Sequence, residues 1–187
     1  MVLKSDNGSN IQYKFIAEKE NENIKIYRDF VDIPITFAFA TFRKRVRFVG
    51  TLNKTALSLL ELGSVSFKGV DLSNAEFHNV NWLKEKELFL ITRNAIVDEK
   101  LMGKDTSYED VAKIYNQLRN NYESRLLFNE ASHFFVGEME AIRKSNLKGK
   151  SRTKKLYSLG HLIYKYLALY GESAFLPLVV WTLLSYS

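Results

Sequence analysis

The stretch from Val65 to Trp82, VSFKGVDLSNAEFHNVNW, places a large apolar residue at every fifth position: Phe67, Leu72, Phe77 and Trp82. Two residues before each stands a small or β-branched one, namely Val65, Val70, Ala75 and Val80. A helix cannot use this beat. Five residues advance about 500° around a helix, so successive large residues drift by about 140° and share no face. In an extended segment, residues i and i−2 point to the same side. If both point inward, the residues that follow must turn a corner, and Asp71, Ser73, Asn74, Glu76 and Asn79 supply polar, turn-prone side chains there. The pattern predicts a flat-sided coil whose inner column holds Phe67, Leu72, Phe77 and Trp82.

Traced backward, the beat continues in degraded form through Leu62, Leu57, Leu52, Phe42 and Phe37, with Arg47 as the misfit among the large positions. Around RKRVRFVG it can slip by one, using Phe48 instead. Before it, Ile11 to Ile16 (IQYKFI) and Ile24 to Tyr27 (IKIY) read as two short strands, a hairpin or a first edge. Val65 to Trp82 resembles the pentapeptide-repeat family, whose pattern is a small residue, Asp or Asn, Leu or Phe, then two variable positions. VDLSN, Val70 to Asn74, fits it closely. The resemblance implies a right-handed, four-sided β-helix with about four pentapeptides per coil, hence one well-formed coil here and degraded ones before it. A single coil cannot bury both of its ends, so the following segment is expected to cap it. Leu88 to Ile91 (LFLI) reads as a strand running onto that end.

The period then becomes helical. Ser107 is a candidate N-cap, with Glu109 and Asp110 in the first turn as the helix dipole prefers. Val111, Ile114, Tyr115, Leu118 and Tyr122 form one stripe. A second helix is expected from about Ser124 to Ser145, with Phe128, Ala131, Phe135, Met139 and Ile142 as its stripe and Leu127 and Phe134 widening it. The two read as a helical hairpin. Leu156 to Tyr170 (LYSLGHLIYKYLALY) is apolar, aromatic and helical in character, and Gly171 breaks it. The expected organisation is N-terminal strands over 1–36, a β-coil over 37–92, a helical hairpin over 107–146, a basic loop over 147–155 and hydrophobic C-terminal helices over 156–187. The fold class is α+β.

An apolar fraction of 46% in 187 residues is enough for one large domain or two small ones and excludes a disordered chain. The absence of cysteine excludes disulfides, thiolate metal sites and a cysteine nucleophile. That absence fits a cytosolic chain, and the start, MVLKSDNGSN, lacks the apolar run of a signal peptide. Neither a glycine-rich phosphate loop nor a nucleophile elbow is present, and the chain reads as non-enzymatic, with no cofactor and no small-molecule substrate. Glu130-x-x-His133 has the spacing of carboxylate-bridged metal bundles, but no second pair of that kind exists, so an ordinary helix surface is the expectation.

The net charge is +6 and unevenly spread. Arg143, Lys144, Lys148, Lys150, Arg152, Lys154 and Lys155 fall in one stretch with no acidic residue, and Arg43, Lys44, Arg45 and Arg47 form a second cluster. Both are candidates for contact with phosphates, on lipid headgroups or on nucleic acid. A polybasic segment beside apolar helices is the arrangement of a protein held at the cytoplasmic face of a membrane. The terminal run, Ala174 to Ser187, has no charge. At roughly 21 Å as a helix it is short of the ~30 Å of hydrocarbon, so it reads as a buried core helix or the start of a spanning one. Its candidate membrane or partner contacts are Phe175, Leu176, Leu178, Val179, Val180, Trp181, Leu183 and Leu184.

A longer resemblance bears on these segments. VAKIYNQLRNNYESRLLFNEASHFFVGEMEAIRK followed by YKYLALYGESAFLPLVVW is similar to prokaryotic membrane proteins in which a pentapeptide-repeat segment precedes a helical hairpin and a small cation-channel-like module. The phrases most alike are GEMEAIRK (Gly137 to Lys144) and YGES (Tyr170 to Ser173). The pore-loop glycine motif of that family has no counterpart in these residues. The resemblance therefore implies a cytosolic region joined to a membrane-entry segment, and does not carry conduction over. The expected function is a membrane-associated scaffold or regulatory module at the inner face of the cell membrane, with a protein partner or a second copy as a further contact. The alternative is a nucleic-acid- or ribosome-associated protein using its basic clusters.

Overall fold

From Val65 to Trp82 the large residues marked by the fivefold beat are buried. In the computed structural model, which describes residues 18–20, 23–27, 35–38, 46–52, 55–58, 60–87, 92–101, 106–149, 151–172 and 175–185, Phe67 and Leu72 are fully buried and Phe77 and Trp82 nearly so. The chain divides into two compact units, Met1–Leu83 with Ile96–Asp98, and Lys84–Ala95 with Glu99–Ser187.

The first unit is built from short strands: β1 (Glu18–Glu20), β2 (Asn23–Tyr27), β3 (Ile35–Ala38), β4 (Val46–Thr51), β5 (Thr55–Ser58), β6 (Val65–Ser66), β7 (Val70–Asp71) and β8 (Glu76–His78), with a 3₁₀ turn at Leu62–Ser64. Strands β1 and β2 pair antiparallel, and β2, β4 and β6 follow in parallel in a five-stranded sheet in which β7 also pairs with β4. A three-stranded parallel sheet runs β3-β5-β8 and sets Leu57 opposite Phe77. Between the sheets, Phe48 and Phe67 stack with centroids 6.2 Å apart, and Trp82 sits 6.0 Å from Phe67 and 5.4 Å from Phe77. The corners are turned as the sequence suggests. The Asp71 carboxylate accepts from the Ser73 N–H at 3.0 Å and hydroxyl at 2.6 Å, Gly69 takes a φ of 74°, and Asn79 a φ of 50°. Asp98, wholly buried, accepts from the Ser66 hydroxyl (2.6 Å) and the Phe67 N–H (2.8 Å). Burial pushes its carboxyl up against the pull of those two donors.

Two expectations are corrected here. The strands do not make a right-handed pentapeptide-repeat β-helix. They form small sheets from runs of two to six residues, the edge pair β1–β2 is antiparallel, and no solenoid is present among the described residues. A solenoid needs several stacked units of one length. The beat is regular only from Val65 onward, and the pairing register drifts, with Val46 opposite Val65 but Gly50 opposite Val70. The expected hairpin also differs: the partner of β2 is Glu18–Glu20, and residues 11–16, like 88–91, lie outside the described residues.

The second unit joins a two-stranded sheet, β9 (Leu83–Lys86) with β10 (Thr92–Ala95), to the helices that follow α1 (Val97–Lys100): α2 (Tyr108–Ser124), α3 (Phe128–Lys148), α4 (Arg152–Ala168) and α5 (Phe175–Ser185). Ser107 starts α2 with a reciprocal capping box, its hydroxyl accepting from the Asp110 N–H and the Asp110 carboxylate from the Ser107 N–H, both at 3.1 Å. All five residues of the α2 stripe are buried. They pack on α3, where the bare backbone of Gly137 admits the Tyr115 ring; a Cβ there would lie 2.8 Å from it. Helix α3 starts later than expected because Leu126 takes a left-handed φ of 60°. Phe128 is exposed, while Ala131, Phe134, Val136, Glu138, Glu140 and Ala141 are buried, so α3 is enclosed on more than the one expected stripe.

The expected hydrophobic C-terminal helices are the second correction. Helix α4 begins at Arg152, inside the stretch expected as a loop, and carries Arg152, Lys154, Lys155 and Lys165. It ends in two successive left-handed residues, Leu169 (φ 47°) and Tyr170 (φ 61°), before Gly171 (φ 92°). Helix α5 has 11 residues and leaves Leu178, Trp181, Leu183 and Leu184 exposed, so it is not a buried core helix. Among the described residues, no helix is long and apolar enough to cross a membrane.

Candidate functional site

Two features of the second unit bear on function: a buried ionic network and the outward face of the helix it holds. Strand β10 projects Arg93 inward with 2% exposure. Its Nε donates to Glu87, its Nη2 to Glu99 at 2.8 and 2.9 Å, and its Nη1 to the Tyr115 hydroxyl at 2.7 Å. That hydroxyl donates on to Glu99 at 2.7 Å, and Lys144 of α3 reaches the same carboxylate at 3.3 Å. Glu87 also accepts from Lys165 of α4 at 2.6 Å. Lys165 in turn lies 3.1 Å from Glu140 of α3, which takes Arg143 at 3.0 Å and the Tyr170 hydroxyl at 2.5 Å. The chain of contacts runs unbroken from Lys144 through Glu99, Arg93, Glu87, Lys165 and Glu140 to Arg143.

Within the network, Arg93, Glu99 and Glu140 are held in their ionised forms. Burial opposes the Arg93 charge, but Tyr115, Glu99 and Glu87 together raise its pKa above the ordinary value. Burial likewise opposes ionisation of Glu99 and Glu140. Arg93, Tyr115 and Lys144 outweigh it at Glu99, and Arg143, Tyr170 and Lys165 hold Glu140 at about 2. Tyr170 is pushed up by its burial and by the Glu140 carboxylate beneath it. Charges taken out of water cost several kcal/mol each, and their pairing roughly repays this. The network therefore selects one geometry more than it adds stability.

It also explains how α4 is attached. The buried residues of α4 itself are Ser158 and Lys165, with His161 and Leu162 half-buried beside them. The Ser158 hydroxyl donates to the Arg143 carbonyl at 3.1 Å, and Lys165 joins the ionic network. The opposite side carries Leu156, Tyr157, Leu159, Ile163, Tyr164, Tyr166 and Leu167, all exposed. The usual amphipathic arrangement is turned inside out, with polar contacts inward and apolar side chains outward.

The candidate basic residues separate accordingly. Arg143 and Lys144 are engaged by Glu140 and Glu99, and Lys148 lies 4.6 Å over the Tyr108 ring. Arg152, Lys154 and Lys155 are exposed on the first turn of α4. In the other cluster, Arg47 is half-buried and reaches the Lys68 carbonyl at 3.5 Å. Arg43, Lys44, Arg45 and Lys150 lie outside the described residues. Of the candidate contacts on α5, Leu178, Trp181, Leu183 and Leu184 are exposed and Val179 is half-buried; the side chains of Phe175, Leu176 and Val180 lie outside the described set. Phe67, Leu72, Phe77 and Trp82 belong to the core of the first unit. His133 is half-buried on α3, and burial, with Lys84 and Arg93 nearby, lowers its pKa against Glu130 and Glu172. Among the described residues no cluster of three His, Cys, Asp or Glu side chains is arranged to hold a metal.

Sequence reasoning missed Glu87, Arg93, Glu99, Glu140 and Lys165 as a group. One signal was available: Lys165 is the only charge in the run LYSLGHLIYKYLALY. A lysine kept in such a run marks either a snorkelling head or a buried partner. Comparison of the chain with known protein families, with curated proteins and with solved structures gives no match.

Proposed function

We propose that the chain is a non-enzymatic, membrane-associated scaffold or regulatory module, acting at the cytoplasmic face of the cell membrane and related to the soluble part of the channel-like proteins it resembles. The observation that carries this reading is the inverted polarity of α4. A row of exposed leucine, isoleucine and tyrosine side chains follows directly on exposed Arg152, Lys154 and Lys155. An apolar surface of that extent is covered by something in the working state, and a basic margin suits an anionic surface. The phrases on which the longer resemblance rests also fall on structurally demanding positions. GEMEAIRK contains Gly137, Glu140, Arg143 and Lys144, and YGES contains Tyr170 and Gly171. A second copy of the chain is the protein partner in this reading, meeting the same outward apolar faces.

The test is sedimentation with vesicles containing phosphatidylserine, with neutral phosphatidylcholine vesicles and with RNA, at about 0.15 M salt. Pelleting with the anionic vesicles is expected. Binding to RNA alone would replace the membrane reading with a nucleic-acid one. Against that outcome, the network and the Tyr108 ring already engage Arg143, Lys144 and Lys148.

A further inference from the structure

We infer that α4 is an interfacial helix that lies in the plane of an anionic bilayer surface, its outer row Leu156, Ile163 and Leu167 at the acyl boundary and Arg152 and Lys155 on lipid phosphates. The inference rests on the membrane reading above and names the element, the lipid chemistry and the orientation.

The geometry carries it as follows. Leu156, Gly160, Ile163 and Leu167 recur at helical spacing on one side, opposite Ser158 and Lys165, and all four are exposed. Gly160 has open space where a side chain would stand, so the row is accessible along its length. Tyr157, Tyr164 and Tyr166 flank it, and tyrosine favours the headgroup level, where its ring is apolar and its hydroxyl wet. Charge complementarity selects an anionic lipid surface over a protein groove. No acidic residue occurs between Glu140 and Glu172, so α4 itself turns no carboxylate toward that surface; the nearby Glu109 of α2 stands beside Lys154, on the side of α4 away from the outer row. Nucleic acid would use the basic and aromatic residues but leave Leu156, Ile163 and Leu167 in water. The helix is 17 residues long, about 25 Å, and Lys165 is held on the protein by Glu87 and Glu140. It therefore lies on the surface and does not turn into the bilayer.

The chain has no cysteine, so a single introduced one is a unique probe site. Ile163→Cys and, as reference, Lys113→Cys on the exposed side of α2, each carrying an environment-sensitive fluorophore, are mixed with phosphatidylserine-containing and with neutral vesicles. The Ile163→Cys probe is expected to shift blue on the anionic vesicles and to be quenched by lipids brominated near the headgroup, with the Lys113→Cys probe unchanged. Arg152→Gln with Lys155→Gln is expected to weaken anionic-vesicle binding roughly twenty- to thirtyfold, at about a tenfold loss per 1.4 kcal/mol and near 1 kcal/mol per basic residue. Lys113→Gln is expected to leave it within about twofold. Pelleting with a solvent-exposed Ile163→Cys probe, or with affinity unchanged in the variant lacking Arg152 and Lys155, overturns the role of α4 and leaves the membrane reading standing on another surface, such as that of α5. Failure to pellet with anionic vesicles at all overturns the membrane reading, and this inference with it.

Discussion

Lys165→Met tests whether the ionic network is what holds α4. In the structure the ammonium lies 2.6 Å from Glu87 and 3.1 Å from Glu140, with 11% of its side chain exposed. Removing one member of a buried ion pair ordinarily costs about 3–5 kcal/mol, because the remaining charge is stranded. Neither carboxylate is stranded here. Glu87 keeps Arg93, and Glu140 keeps Arg143 and the Tyr170 hydroxyl. The expected cost is therefore smaller, about 2–3 kcal/mol. Methionine retains the bulk of the lysine stem, so lost packing adds little. Amide hydrogen exchange along α4 reads its local release directly, and it should accelerate roughly thirty- to 150-fold. Lys154→Met, exposed on the same helix, serves as the control and should change stability by less than about 0.5 kcal/mol. A double-mutant cycle with Glu87→Gln should show a coupling of about 1 kcal/mol or more. Exchange in Lys165→Met no faster than in the control, or a cycle that closes to zero, would refute the tether.

Three further outcomes follow from the same region. Gly137→Ala places a methyl 2.8 Å from the Tyr115 ring between α2 and α3, and should cost about 1–3 kcal/mol in thermal or urea unfolding. Gly171→Ala meets both a φ of 92° and the Tyr164 hydroxyl at 2.6 Å, and should cost about 1–2 kcal/mol; Tyr164→Phe should relieve the contact but not the backbone strain. Glu140 has a depressed folded pKa, so its contribution is fully present above the unfolded value of 4.5 and is lost as pH falls from there to about 2. At 1.36 kcal/mol per tenfold the drop corresponds to about 3 kcal/mol, which solvent screening at the half-buried Arg143 reduces to about 2. An acid titration of stability should show this slope in the native chain and lose it in Glu140→Gln.

Which parts of the molecule were legible depends on how local their physics is. The inward column of Phe67, Leu72, Phe77 and Trp82 follows from side-chain alternation over a few residues, and each is buried. The stripe of α2 and its Ser107 cap are local in the same sense. The assembly of coils into a solenoid was not local. It needs the same length of chain to return again and again, and the register shift between Val46–Val65 and Gly50–Val70 is set by pairing across the sheet. The basic stretch misled in a different way. Residues 147–155 suggested a solvated loop, yet Lys148 ends α3 and Arg152 to Lys155 open α4, while Arg143 and Lys144, within the expected second helix, are engaged by Glu140 and Glu99. Glu99 is 45 residues from its partner Lys144, and Glu87 is 78 from Lys165. No periodicity reports a pair at that separation.

The orientation of α4 is the point at which the energetics and the function meet. Turned over, the helix would bury Leu156, Ile163 and Leu167, each worth roughly 1.5–3 kcal/mol on leaving water. Against this stand the contacts of Lys165 with Glu87 and Glu140, about 2–3 kcal/mol by the reasoning above, and one hydroxyl hydrogen bond from Ser158, about 1 kcal/mol. In water alone the apolar side would win or at least compete. The polar side is nonetheless the one that faces the protein, and the turn at Leu169 and Tyr170 reinforces it. Two left-handed residues in succession cost on the order of 1 kcal/mol each, and they are held by the Tyr170–Glu140 hydrogen bond and by packing of Leu169 and Tyr170 with Val136. A chain that retains a strained turn and a buried lysine to keep leucines outward gains by it only if those leucines are covered in the working state. On the reading proposed above, an anionic bilayer surface would cover them and match the basic residues beside them. On that surface the apolar transfer free energy and the ionic tether favour the same orientation.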